Sequence, residues 1–176
     1  MEKTMKTTVL YDAFFPIWFL WIFPITWVFI LPVNFLIDLV VLMLVMRHFK
    51  IPNRKHQAKK SILRICLCGL VADFIGALGM ILAECIYFGH NIFGEWWHHN
   101  ITEPVAFNPF ASIWSFLWVA GCVFISGYFI YLFNNKYCLN KTELTQEQKK
   151  KVALSIAVFT APYSFYLPSE IIYKLF

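Results

Sequence analysis

Charged residues are scarce in this sequence, at 14% of its 176 residues, where soluble domains carry about 25%. The cysteines number five, which is odd, and four of them fall within or against apolar segments, which argues against a disulfide framework. The chain has no G-x-x-x-x-G-K-[ST] phosphate loop, no G-x-S-x-G nucleophile elbow and no H-E-x-x-H metal motif. These shortages argue against a soluble fold and against the common nucleotide-binding and hydrolase chemistries.

Long apolar runs take up most of the chain, and hydrophobic residues reach 60% of it. A membrane-spanning helix needs about 20 apolar residues. We therefore predict an all-α polytopic membrane protein, a single integral membrane domain over residues 1–176. Its expected four-transmembrane-helix bundle has spans at 24–46, 61–88, 109–133 and 152–173. The segment 13–23, rich in Trp, Phe and Pro, is expected to be retained and to lie at the membrane interface.

Local signals place three of the helix starts. Asn53 is expected to cap the second helix, whose polar start would project into the cytoplasm. The pair Asn108-Pro109 is expected to begin the third helix, as a capping residue followed by a first-turn proline. Thr145 with Gln148 three residues later predicts a capping box at the fourth helix. Pro162 is expected only to bend that last helix.

Basic residues predict the orientation in the membrane. The loops 47–60 and 134–151 are rich in Lys and Arg, whereas the loop 89–108 has neither. Because cytoplasmic loops are enriched in Lys and Arg, we expect both basic loops in the cytoplasm and both chain termini outside. The net charge of +5 belongs to these short loops, so no nucleic-acid partner is expected.

Two acidic residues fall inside the predicted spans, where charges are rare and costly. Asp38 and Asp73 lie at similar depth when each helix is counted at about 1.5 Å per residue. Small residues share the face of Asp73, which predicts that it points into the bundle. With polar residues from all four spans, the sequence predicts a buried proton or cation site made of Asn34, Asp38, Asp73, Ser126 and Thr160.

Three explanations of this polar layer stay open. Two carboxyl groups in a low-dielectric site would share a proton, bind a metal ion or pair with an imported base. Alternatively, both acids are protonated and only bridge helices by hydrogen bonds, or one Asp caps a helix kink or lies in a water-filled crevice.

The outer side has weaker candidates. Glu84, His90 and Glu170 could form an outer vestibule, and His98 and His99 are ligand types for zinc or copper. Their spacing fits no closed metal site, and Trp96 and Trp97 more simply anchor the loop at the membrane surface.

Three functions are consistent with these features. The first is an oligomeric channel or transporter-like protein that uses the acidic site. The second is a non-catalytic subunit, sensor or scaffold that binds a soluble cytoplasmic partner or anionic lipid through Arg54, Lys55, Lys59 and Lys60. The third is an intramembrane aspartyl hydrolase with Asp38 and Asp73 as its dyad. We favour the first, with the lipid bilayer and further copies of the chain as partners, and expect no enzyme activity and no cofactor.

Overall fold

The computed structural model describes residues 27–89 and 91–169, and within these ranges every regular element is helical. The α-helices are α1 (Trp27–His48), α2 (Arg54–Cys85), α3 (Ile92–Trp97), α4 (Glu103–Phe107), α5 (Ile113–Lys136) and α6 (Gln146–Thr160). A π-helical turn, His98–Thr102, joins α3 to α4, and 3-10 turns follow α5 (Cys138–Lys141) and α6 (Tyr163–Tyr166).

Three helical segments are long and apolar enough to cross a membrane: Ile30–His48, Arg54–Cys85 and Ile113–Lys141. The first is α1 without its first three residues, the second is the whole of α2, and the third is α5 together with the 3-10 turn that follows it. The helix α6 has 15 residues, fewer than the roughly 17–25 that a span requires. The all-helical class is therefore confirmed, and three rather than four helices of the described residues meet the requirements for a span.

The burial pattern of α2 is the reverse of that of a soluble helix. Its outward stripe is aliphatic and aromatic, with Leu63, Leu67, Val71, Phe74, Leu78 and Leu82 all exposed. Its inward face carries small residues and one acid over the second half of the helix, with Ala72, Asp73, Gly76, Ala77 and Ala83 all buried, alongside the larger Ile62, Ile65 and Met80. A helix whose leucines face outward and whose aspartate faces inward suits an apolar surrounding.

The four long helices pack in a ring. Helices α1 and α5 each pack against both α2 and α6. We call the end that contains residues 47–60 and 134–151 the basic end, and the end that contains residues 86–112 the aromatic end. One apolar cluster, around Leu42, Ile65 and Ile156, lies toward the basic end, and a second, around Met80 and Phe165, lies toward the aromatic end.

The second helix is longer than its predicted span of 61–88. It begins at Arg54 and ends at Cys85, and Asn53 precedes it with a positive φ of 51° and no side-chain cap bond. Hydropathy marks only the apolar part of a helix, so the polar first two turns were outside the predicted span. The segment 89–108, predicted as a loop, is largely helical from Ile92 onward.

The prediction that Asn108-Pro109 begins the third helix is wrong. The Asn108 side chain accepts a hydrogen bond from the Phe110 backbone N–H at 3.2 Å, which closes a turn. The helix α5 begins at Ile113, and Ser112 caps it by accepting from the Trp114 N–H at 3.2 Å. Asn and Ser both cap helices well, and the sequence alone did not separate a turn from a cap here.

The start of α6 was predicted correctly, but its end was not. Thr145 and Gln148 form the capping box, with N–H to side-chain oxygen distances of 3.0 and 3.3 Å. The helix ends at Thr160 instead of continuing toward 173. Ala161 has ψ 149°, as expected for a residue before proline, because the ring of Pro162 disfavours the α conformation there.

The predicted interfacial segment 13–23 lies outside the described residues, as do the first three residues of the predicted span 24–46.

Candidate functional site

A cavity of about 530 Å³ lies between α1, α2 and the chain that follows α6. Helix α1 contributes Asn34 and Asp38 to its wall, α2 contributes Asp73, and the end of α6 contributes Thr160. Both aspartates are buried, with 7% of Asp38 and 6% of Asp73 exposed. Four of the five residues predicted for the polar layer therefore line one cavity.

Close helix packing explains how the two carboxyl groups reach the same space. A Cβ added at Gly69 of α2 would lie 3.8 Å from Asp38 Oδ2 of α1. Asp73 is one helical turn beyond Gly69, so the Asp38 side chain lies across the surface that Gly69 leaves open, beside Asp73. Asn34 lies one turn from Asp38 on the same face of α1.

Ser126 of α5, the fifth predicted residue, lies behind Asp73 and not in the cavity wall. Its hydroxyl donates to the Ala72 carbonyl oxygen at 2.6 Å, and its Oγ is 3.5 Å from Asp73 Oδ1. The Ser126 hydroxyl therefore lies against both the Ala72 backbone and the Asp73 carboxyl group, which accepts from it at the longer distance, and it links α5 to α2 at this point.

Asp38 has a different environment. No described residue forms a hydrogen bond or an ion pair with its carboxyl group, although the residue is buried in the wall of the cavity. Burying a polar group without a partner costs free energy. The free side of this carboxyl group is the cavity itself, so a molecule in the cavity would supply what the described residues do not.

The broken end of α6 forms the third wall. The last helical carbonyl groups have no partner within the helix, and they give a helix C-terminus a partial negative charge that favours cations. The Tyr163 hydroxyl donates back to the Val158 carbonyl oxygen at 2.6 Å. The Thr160 hydroxyl donates to the Ile156 carbonyl oxygen at 2.9 Å, which leaves its oxygen as an acceptor beside the cavity.

The rest of this wall, which was not predicted from the sequence, consists of Phe159, Ala161, Pro162, Tyr163 and Ser164. The Ala161-Pro162 pair is the sequence signal for a helix end here, because it disfavours continuation of a helix. We predicted only a bend at Pro162, since apolar residues continue to Leu167.

Charge in the cavity is of one sign. Among the described lining residues there is no Lys, Arg or His, whereas two carboxyl groups and a helix C-terminus face the space. Two ionised carboxylates in such surroundings repel each other and need a proton or a cation between them. The arrangement is thus suited to holding a proton, a cation or both.

The predicted outer vestibule is described only in part. Glu84 is exposed, and His90 and Glu170 lie outside the described residues. His98 is exposed, and His99 Nδ1 is 3.8 Å from Glu103 Oε2 at the surface of the aromatic end. Within residues 27–89 and 91–169, no three His, Cys, Asp or Glu side chains come together as a metal site would require.

The basic residues at the start of α2 lie at the basic end. Arg54, Lys55 and Lys59 are exposed. Lys60 Nζ lies 3.4 Å from Glu143 Oε1 of the loop before α6, and Gln57 also bonds to Glu143. One residue of the predicted partner-binding surface, Lys60, therefore contacts the loop before α6 of the same chain.

Asn134 of α5 is a further buried polar residue that the sequence analysis did not single out. Its side chain is fully buried, and neither Nδ2 nor Oδ1 has a partner among the described residues. It is eight residues from Ser126, about 12 Å along the helix toward the basic end, and is not part of the cavity wall.

When the chain is compared with known proteins, no protein family, curated protein or solved structure matches it.

Proposed function

We propose that the chain is an integral membrane protein of the channel or transporter type, and that its pathway includes the proton or cation site formed by Asp38 and Asp73. The observation that carries the proposal is the single cavity that both buried carboxyl groups share with the broken end of α6. The exposed leucine stripe of α2 supports the membrane setting.

The helix break is the second support. Many secondary transporters place ion and substrate sites near the membrane midplane, at helices that are interrupted there. Non-helical backbone at that depth is tolerated where it lines a cavity or is buried in protein. The chain at Ala161 and Pro162 satisfies this condition, because both residues line the acidic cavity.

Four packed segments of this length do not enclose a wide pore. A channel would therefore require self-association, and a homo-oligomer is part of the proposal. The orientation with both basic loops in the cytoplasm and both termini outside also belongs to it, on the strength of the basic residues alone.

Ion flux in liposomes tests the proposal. The full chain is reconstituted, and the fluxes of protons, Na⁺ and K⁺ are compared for the native protein, Asp38→Asn and Asp73→Asn. We expect each variant to lower the flux by at least about tenfold, because each replaces a carboxyl group that can take up a proton or a cation with an amide that cannot, and a barrier raised by about 1.4 kcal/mol already slows a step tenfold. Glu147→Gln is the matched control, because it neutralises an exposed carboxylate at the start of α6. Native flux in both aspartate variants, with folding confirmed by circular dichroism, would overturn the proposal.

The other two hypotheses stay predictions. A partner-binding role would show as co-purification that is lost when Arg54, Lys55 and Lys59 are neutralised. An aspartyl hydrolase would show proteolytic or hydrolytic activity that either aspartate variant abolishes.

A further inference from the structure

The size of the acidic cavity is informative about its occupant. Its volume of about 530 Å³ falls in the range of roughly 300–1,000 Å³ that is usual for small-molecule sites. A dehydrated Ca²⁺ ion instead needs about six to eight oxygen ligands at 2.3–2.6 Å. A bare inorganic ion would fill only a small part of this space.

The wall has the composition of a site for a small organic molecule. Such sites are mostly apolar, with a few polar groups that fix the ligand's orientation. Here α1 and α2 supply Ile30, Val33, Ile37 and Leu70, and the broken end of α6 supplies Phe159 and Pro162. The polar groups are concentrated around Asp38 and Asp73, so the wall combines an acidic centre with an apolar surface.

The two aspartates have different surroundings, which suggests different roles. Asp73 accepts a hydrogen bond from Ser126 Oγ at 3.5 Å. Asp38 has no partner among the described residues and faces the cavity. Because two ionised carboxylates in one cavity repel each other, a pair that shares one proton carries one net negative charge, which matches one monovalent cation.

We propose that the cavity binds a small alkylammonium ion, with Asp38 as its counter-ion, Asp73 as the protonated neighbour and the aliphatic wall around the alkyl chain. This inference rests on the proposed function and names the class of cation that the site takes. The ammonium group donates hydrogen bonds to the Asp38 carboxylate and has acceptor oxygens of Thr160 and Asn34 in the same wall. A primary amine has the apolar body that this wall can cover and that an inorganic ion lacks.

Binding to the purified full chain in mild detergent tests the inference. Isothermal titration calorimetry is run with methyl-, ethyl-, propyl- and butylammonium chloride, with NaCl, KCl and CaCl₂, and with butanol. Butanol is the neutral control for partitioning of an alkyl chain into detergent. We expect saturable binding of the amines that tightens by about fourfold for each added methylene, the ratio that corresponds to one buried CH₂.

The two aspartate variants should behave differently. Asp38→Asn removes the counter-ion, and we expect it to weaken butylammonium binding by at least about tenfold. Asp73→Asn keeps a neutral group that can accept from Ser126, so the affinity should stay within about threefold of the native value, as expected of a neutral, isosteric replacement. We expect the Asp73→Asn variant to lose ion flux in liposomes all the same, because an asparagine side chain has no acidic proton to release.

Three results would overturn the inference. The first is a signal for butanol equal to that for butylammonium, and the second is binding of Na⁺, K⁺ or Ca²⁺ without binding of amines. The third is native affinity in Asp38→Asn. If any of these occurs while ion flux still depends on the aspartates, the alkylammonium assignment fails and the proposed function stands. If flux is also independent of both aspartates, both fail.

Discussion

The glycine at position 76 tests the packing that places Asp73 in the cavity. A methyl group added there would lie 2.8 Å from Ser126 Oγ, 3.0 Å from Phe165 Cε2 and 3.2 Å from the Cys122 carbonyl oxygen. All three distances are short for a carbon contact, and the last involves a backbone atom that moves only with its helix. We therefore expect Gly76→Ala to push α2 away from α5.

Gly121 is the matched control, because a Cβ added there has no neighbour within 4 Å. Each Gly→Ala change in a helix gains roughly 0.5–1 kcal/mol by limiting the unfolded chain, and this gain cancels when the two variants are compared. Overpacking a core costs about 1–3 kcal/mol. The free energy of unfolding should thus be lower for Gly76→Ala than for Gly121→Ala by about 1–3 kcal/mol.

Equilibrium unfolding is measured in mild detergent, with tryptophan fluorescence and circular dichroism as the two signals. Equal free energies of unfolding for the two variants would refute the packing of α2 on α5 described here. The ion flux of Gly76→Ala should fall as well, because a shift of α5 moves Ser126 away from the Asp73 carboxyl group. Gly121→Ala should keep native flux.

Two further predictions concern the start of α6. Thr145→Ala removes the side-chain oxygen of the capping box and should lower the free energy of unfolding by about 1 kcal/mol, while Thr145→Ser should restore it; equal stability of all three proteins would contradict the cap. Lys151 donates a hydrogen bond to Glu147 at 2.6 Å, and this bond and the positive charge of Lys151 lower the pKa of Glu147 below the usual 4.5. The pair therefore stabilises the folded protein above about pH 4.5, and this stabilisation is lost as the pH falls through the lowered pKa. At pH 6 the midpoint of thermal unfolding should therefore be higher for the native protein than for Lys151→Met, and this difference should disappear in acid. A difference in midpoint that does not change with pH would show that the ion pair does not cause it.

The sequence was sufficient for the helical class and for the approximate position of the spans. Continuous apolar runs are a strong signal, and they place the centres of α1, α2 and α5 correctly. The helix ends were less predictable, because hydropathy does not distinguish a helix that leaves the membrane from one that stops. The end of α6 at Thr160 is an example, since apolar residues continue after it to Leu167.

Four polar residues of the cavity wall, Asn34, Asp38, Asp73 and Thr160, were predicted from depth and helical periodicity. Counting residues put Asp38 and Asp73 at one level, and small residues such as Gly69 and Gly76 indicated the inward face of α2. The shape of the site was not predictable in the same way, because it depends on where α6 ends. The Ala161-Pro162 pair favours an end, but the apolar residues after it favour continuation, and only tertiary packing decides between them.

The two aspartates differ in how well a purely structural role explains them. Asp73 fits such a role, since its carboxyl group accepts a hydrogen bond from Ser126 Oγ at 3.5 Å, which links α2 to α5. Asp38 does not, because none of the described residues offers it a hydrogen bond and it lines the cavity. Other polar side chains near the same depth, those of Ser126 and Thr160, each bond to a backbone carbonyl oxygen. A buried acid that stabilises nothing in the described fold, and that faces a cavity with apolar walls, is best explained by what enters that cavity.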